Sequence, residues 1–358
     1  MIAHVNKNSL ASKAHSLSGR ALQPGVRIKH VNYVRVTSHQ QASEFINAID
    51  SPLIMLDLES RNGQKDVAWV WRRDDKPPAP IGERRVFAVL GADTTDPDIG
   101  TSVRADIERM KAMLRSHIPE KQLAIHQLID GDLSAHKFAS VFQAVNSLAK
   151  PDDALLLYLS SHGSTDPKAV GATLGNTFTG NHVIWFSKDQ PILHDRLLEI
   201  VGALDLRLKV VISDSCRDYG DTAFRLLRDR RRYRAEQRTV DGEVYLENPL
   251  QDLLLLAEGV VDWYSCEPGE TSSALEEGGL FTLCGIAGIT SASRGDWGAV
   301  ASSVRESVSR YAQSGGRRQH PEIRGMISPD FYRPNAGVRK SLTYSVLLPI
   351  EDDDSSDR

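Results

Sequence analysis

Between residues 85 and 216, short apolar runs alternate with amphipathic stretches, and this alternation leaves the chain few folds to choose from. "RVFAVLGAD" (85–93) reads as a strand that ends at a glycine. "TSVRADIERMKAMLRSHI" follows, with Val103, Ile107, Met110 and Leu114 on one helical face. "QLAIHQLID" is a second strand, and "LSAHKFASVFQAVNSLA" a second helix opened by Asp132 or Ser134 as its cap. "DDALLLYLSSHGS", "PILHDRLLEIVGAL" and "LKVVISDSC" continue as strand, helix and strand. Repeated strand–helix units predict an α/β fold: a three-layer sandwich with a mostly parallel central sheet and helices on both faces.

The flanks are different. Residues 1–26 are polar and have no period, whereas 27–73 carry fold signals: "VRIKHVNYVRV" alternates like a strand, "SHQQASEFINAI" begins with a capping serine, and "PLIMLDLES" reads as another strand. "DDKPPAPIGERR" (74–85) is a linker or domain edge. We therefore expect an N-terminal accessory or regulatory segment over 1–83, the main domain over 84–335, and a C-terminal strand with an acidic tail over 336–358. After Cys216, "RLLRDRRRYRAEQR" (225–238) holds seven arginines, and reads as a solvated helix face or a linker. "DLLLLAEGVVDWYSCEPGE" gives a helix or strand and then a loop. "GGLFTLCGIAGIT" and "AVASSVRESVSRYAQ" read as a buried and an amphipathic helix.

Several partner classes are disfavoured. The net charge of −4 offers no basic field for nucleic acid, and the arginine run has only Tyr233 as an interleaved aromatic. No apolar run approaches the ~20 residues of a membrane span, and the first twenty residues lack the apolar core of a signal peptide. Three cysteines, an odd and sparse set, make no disulfide framework. The expectation is a cytoplasmic protein.

In parallel sheets, reactive groups collect at the carboxyl ends of the strands. Two stand there: His162 after "ALLLYLSS" and Cys216 after "KVVISDS". A lone cysteine is most often a small buried hydrophobe, but a thiol and an imidazole at the same sheet edge make a nucleophile and its base. Gly163 lets the backbone approach a substrate carbonyl, so the Gly163 and Cys216 N–H groups are candidate oxyanion donors. Arg217 adds positive charge beside the thiol. Cys284 lies in an apolar helix and reads as packing; Cys266 lies in a loop.

"YLSSHGS" followed by "VVISDSCRDYG" resembles the His-Gly and Asp-Ser-Cys motifs of caspase-like cysteine peptidases, with metacaspases and related bacterial enzymes nearest and some legumain-like features in "SSHGS". "YSCEPGETSSALEEGGLFTLCGIAGI" and "RQHPEIRG" resemble the small-subunit region of that superfamily. The resemblance spans about residues 84–330. It implies a caspase-like fold, Cys216 as nucleophile, His162 as general acid–base, and an oxyanion hole from Gly163 and Cys216. By similarity to metacaspases, Asp214 and Asp106 would hold a basic side chain of the substrate in the S1 pocket. The chain departs from the metacaspase pattern with Ser-Ser-His-Gly and Cys-Arg-Asp-Tyr-Gly.

The resulting expectation is an endopeptidase that cuts protein substrates after Arg or Lys, with self-processing in 225–238 at Arg228, Arg230, Arg231, Arg232 or Arg234. The resemblance places such enzymes in bacterial defence or regulated cell death. It also allows a regulatory partner acting through residues 1–83. No cofactor is expected; the resemblance allows calcium near Asp218 and Asp221, and zinc is disfavoured because the cysteines have no paired spacing. The alternatives are a non-catalytic caspase-like scaffold, a peptidase with Asp or Asn specificity, and another hydrolase on a doubly wound sheet.

Overall fold

The computed structural model describes residues 15–16, 26–31, 34–48, 53–59, 65–71, 79–165, 182–186, 190–217, 233–240, 248–292, 297–327 and 342–349. The N-terminal strands are β1 (His15–Ser16), β2 (Arg27–Val31), β3 (Val34–Arg35), β4 (Leu53–Glu59) and β5 (Lys65–Trp71). They form an antiparallel sheet in the order β1-β5-β4-β2-β3. Helix α1 (His39–Ala48) starts where Gln41 N–H donates to the Ser38 hydroxyl at 3.1 Å, the cap expected from the sequence. Ile54, Leu56 and Leu58 share one face of β4 and pack with Val31 and Ala42 into a small core.

The main domain is built on six strands, β6 (Val86–Ala92), β7 (Leu123–Ile129), β8 (Ala154–Ser160), β12 (Leu208–Asp214), β14 (Gly259–Tyr264) and β17 (Glu322–Ile327). Their order is β17-β14-β12-β8-β6-β7, parallel except for β17 at one edge. The strands β6, β8 and β12 are buried along their whole length, as strands covered on both faces must be.

Period-two alternation divides the core. Ala88, Leu90, Leu156, Val210 and Ile212 face the layer of α2 (Gly100–His117), α6 (Leu280–Thr290) and α7 (Trp297–Ser314). Phe87, Val89, Leu155, Leu157 and Val211 face α3 (Ala135–Leu148) and α4 (His194–Gly202). The stripe Val103, Ile107, Met110 and Leu114 on α2 is buried as the sequence pattern requires, and Ser134 caps α3 by accepting from Lys137 N–H.

Several local readings are corrected. "DDALLLYLSSHGS" is two elements, because the chain breaks at Ser161–His162 before β9 (Gly163–Thr165). That strand joins β10 (His182–Trp185) and β11 (Pro191–Leu193) in a small antiparallel sheet. "PIL" belongs to β11, and α4 starts only at His194. "DLLLLAEGVVDWY" is both a helical stretch, α5 (Pro249–Gln251) continuing through Leu256, and β14. The end of the arginine run is a strand and not a helix face: β13 (Tyr233–Val240) pairs antiparallel with β18 (Leu342–Pro349). A short hairpin, β15 (Ala274–Leu275) and β16 (Gly278–Gly279), precedes α6. Among the described residues no helix is long and apolar enough to cross a membrane.

Candidate active site

β8 and β12 are neighbours, and Ser160 is in register with Asp214 at their carboxyl ends. The next residues therefore leave the sheet side by side, tied by a bond from Ser161 N–H to the Asp214 carbonyl at 3.2 Å. His162 and Cys216 line one pocket, open to solvent, together with Asp106, Asp214, Ser160 and Gly279. The two residues marked by their strand ends, and the two acids expected beside them, are thus brought together.

Cys216 is a free thiol, 3% exposed. Its Sγ accepts the Ser272 backbone N–H at 3.4 Å and donates to the Ser272 carbonyl at 3.9 Å. Gly163 packs against the loop of the nucleophile. A Cβ there would stand 2.4 Å from the Cys216 carbonyl oxygen and 2.8 Å from Ser215 Cβ, so only glycine fits. Gly163 is paired with Ile184, and the flanking bond runs from Trp185 N–H to the His162 carbonyl. In that antiparallel pattern the N–H of Gly163 turns away from β10.

His162 Nε2 lies 3.1 Å from Asp96 Oδ2, and both side chains are buried. Asp96 comes from the loop between β6 and α2. Its Oδ1 accepts the N–H groups of Asp98 at 2.8 Å and Ile99 at 3.0 Å. Burial pushes its carboxyl up, but these N–H groups and the His162 ring outweigh burial and hold it below the usual carboxylate range. A polar loop at the end of the first parallel strand was the available signal for Asp96, and sequence reading passed over it.

Asp106 is fully buried in the second turn of α2 and not solvated. It accepts Gly279 N–H at 2.8 Å and the Ser160 hydroxyl at 3.0 Å. Asp214 accepts the Ser272 hydroxyl at 2.6 Å, the Thr282 hydroxyl at 2.7 Å and Thr282 N–H at 3.2 Å. The carboxylates converge on Gly279, where a Cβ would meet Asp214 Oδ2 at 2.2 Å and Asp106 Oδ2 at 3.2 Å. Its neighbour Gly278 has φ +135°, which L side chains rarely adopt. Burial, and then the charge of Asp214, push Asp106 well above the carboxylate range; burial also raises Asp214 against the pull of Ser272 and Thr282. Two buried carboxyls on one pocket keep a proton or invite a cation.

Arg217 is fully buried, but its guanidinium bonds Glu322 at 2.5 Å and lies 4.5 Å from the Tyr264 ring centroid. Its charge is matched by Glu322. Cys266 is also buried, and burial, then the neighbouring Cys216, push its thiol well up. Burial, then Asp214, raise Cys284 to about 12, in keeping with a packing role inside α6. Arg228, Arg230, Arg231, Arg232, Asp218 and Asp221 lie outside the described residues. Arg234 is in β13, opposite Leu348. Among the described residues, Glu267, Glu270 and His320 bring possible metal-ligand atoms within 4.8 Å of one another at the surface, where His320 Nδ1 already bonds Glu270 at 2.7 Å.

No curated protein matches the chain. The crystal structure of a protein from Geobacter sulfurreducens aligns with 69% of this chain and 96% of its own length, at 16% identity and a TM-score of 0.46. The family model described as the caspase domain matches residues 101–332, well over half of the sequence. The chain therefore belongs to the caspase-domain peptidase family.

Proposed function

We propose that this protein is a cysteine endopeptidase that cuts after arginine, with lysine second. The observation that carries the reading is the convergence of Asp106 and Asp214 on Gly279 in the pocket that also holds Cys216. A guanidinium entering there meets two carboxyl groups that burial holds towards the protonated form; its charge favours the ionised pair, and it can bond them in bidentate fashion. An aspartate side chain adds a third acid to the pocket, and an asparagine brings no charge to offset the two acids, which disfavours the Asp/Asn alternative.

The chemistry follows from the parts. Cys216 passes its thiol proton to His162, its Sγ attacks the substrate carbonyl carbon, and the carbonyl oxygen takes the electron pair between the N–H groups of Gly163 and Cys216. Asp96 engages Nε2 of His162, so Nδ1 is the atom through which the ring passes protons on the substrate side. His162 protonates the leaving amine, the C–N bond breaks, and an acyl-enzyme remains. Water, deprotonated by the same ring, releases it. Asp96 is held ionised and so stabilises the imidazolium that forms in each step. On this reading residues 1–83 are an accessory segment outside the catalytic unit.

Peptide amides with Arg, Lys, Asp or Asn before the cut test the proposal. Arg peptides turn over fastest, Lys peptides follow, and Cys216→Ala abolishes both. A preference for Asp or Asn overturns the pocket assignment. Activity that survives in Cys216→Ala, or a chain that cleaves nothing while retaining its fold, favours another hydrolase or a scaffold.

A further inference from the structure

Ser272 touches both halves of the site. Its backbone N–H donates to Cys216 Sγ at 3.4 Å, and its hydroxyl donates to Asp214 Oδ1 at 2.6 Å. Ser272 is itself held by Gln319, a 1% exposed side chain from the segment before β17. Gln319 Oε1 accepts Ser273 N–H at 3.0 Å, while its Nε2 donates to the Ser265 carbonyl at 3.1 Å and to the Ser272 hydroxyl at 3.2 Å. The amide is satisfied on both its oxygen and its nitrogen, which fixes its orientation. An amide nitrogen only donates and a carboxylate only accepts, so the single hydroxyl proton of Ser272 must go to Asp214. The same clamp reaches the nucleophile's other side, because the Ser265 hydroxyl donates to the Ser215 carbonyl at 2.8 Å and accepts Ser215 N–H at 3.1 Å.

We propose that Ser272, locked by Gln319, is the residue that sets both the preference for a cationic side chain and the placing of the nucleophile: its hydroxyl acts on the pocket floor and its backbone N–H on Cys216. This rests on the endopeptidase reading and deepens it. The hydroxyl of Ser272 is the strongest of the groups that oppose burial at Asp214. The ionisable groups facing Asp214 are Asp106 from α2, Tyr158 from β8 and Cys284 from α6, with Cys216 and His162 in the same pocket. Arg109 of α2 is the cation beside Asp106 and it stays in place in every variant, so losing one donor moves Asp214 towards its protonated form and weakens the floor's hold on a cation.

The test uses the full chain with Ser272→Ala, Ser272→Thr and Gln319→Ala. Three quantities are measured across pH: kcat and KM for an Arg peptide amide, the rate of Cys216 alkylation by iodoacetamide followed by mass spectrometry, and benzamidine binding by calorimetry. Ser272→Ala raises KM about tenfold and moves the acid limb of kcat/KM to higher pH. It leaves the pH profile of alkylation in place, and Ser272→Thr restores KM. Gln319→Ala shifts KM and the alkylation profile together, since it frees the backbone of Ser272 and Ser273. A Ser272→Ala chain with native KM and acid limb overturns the proposal, as does one whose alkylation profile moves with KM and is not restored by threonine. If Gln319→Ala does not fold, the Ala and Thr pair at Ser272 decides. If the native chain neither cleaves cationic peptides nor binds benzamidine, the endopeptidase reading fails by itself; the alkylation profile of Gln319→Ala against native then still decides the link to Cys216, and a native profile overturns it.

Discussion

Asp106 accepts from Ser160 and Gly279, lies fully buried, and faces Asp214 at the floor of the pocket. Arg109, one turn on in α2, lowers its carboxyl, but less than burial and Asp214 raise it. In the unfolded chain the group titrates near ~4. Above that pH the unfolded state gives up its proton while the folded state keeps it, so stability falls as pH rises until the folded carboxyl ionises. Asp106→Asn removes this linkage. Its amide can still accept from Gly279 N–H, and it gains donors to offer Ser160 and Asp214. We expect a higher melting temperature than native at neutral pH, with the gap widening from ~4 upward. We also expect kcat/KM for an Arg peptide to fall about a hundredfold, because half of the cation's partner set is gone. Thermal unfolding over a pH series checks the first and peptide kinetics the second; a melting temperature below native at every pH would sink the argument.

At the scale of elements, legibility followed burial and length. The runs that became β6, β8 and β12 are covered on both faces, and their uninterrupted apolar character was visible. The stripe on α2 and the Ser134 cap of α3 were visible for equally local reasons. The three- and four-residue strands β9, β10 and β11 were not, because they are too short for a period and exist by pairing with one another. The site divides the same way. Cys216 and His162 were legible because strand ends announce them, and Asp214 and Asp106 through a resemblance. Asp96, Ser272 and Gln319 come from loops whose placement only tertiary contacts decide. The arginine run also changed meaning. A peptidase engages an extended and unpaired main chain, yet Arg234 lies within an eight-residue strand paired along its length with β18. If the chain processes itself, new amino termini should follow Arg228, Arg230, Arg231 or Arg232 and not Arg234. Deleting 342–349 should open Arg234 to cutting, and amino-terminal sequencing of the products reads both outcomes. A native chain cut chiefly after Arg234 would refute the pairing argument.

At the scale of the molecule, a cut between β12 and β14 would divide one core. These two strands lie on opposite sides of the arginine run in sequence but are hydrogen-bonded neighbours, from Leu208 with Gly259 to Ser213 with Tyr264. On one face of the sheet, Val103, Ile107 and Met110 from before the run pack in the same cluster as Phe281, Trp297 and Val304 from after it. The pocket is shared too. His162, Cys216, Asp106 and Asp214 precede the run, whereas Ser272, Thr282 and Gln319 follow it. Cys216, Cys266 and Cys284 are free thiols, so none links the parts covalently. The apolar cluster spans both parts as one core, and burial of that kind holds without a covalent bond. We therefore predict that the nicked chain elutes as one species in gel filtration, with or without reductant, and separates only in denaturant. Each isolated part should be inactive, and removing denaturant from the mixture should restore activity. Parts that separate in native buffer, or one part that cleaves peptides alone, would show that the shared sheet and pocket do not bind the two halves into one unit.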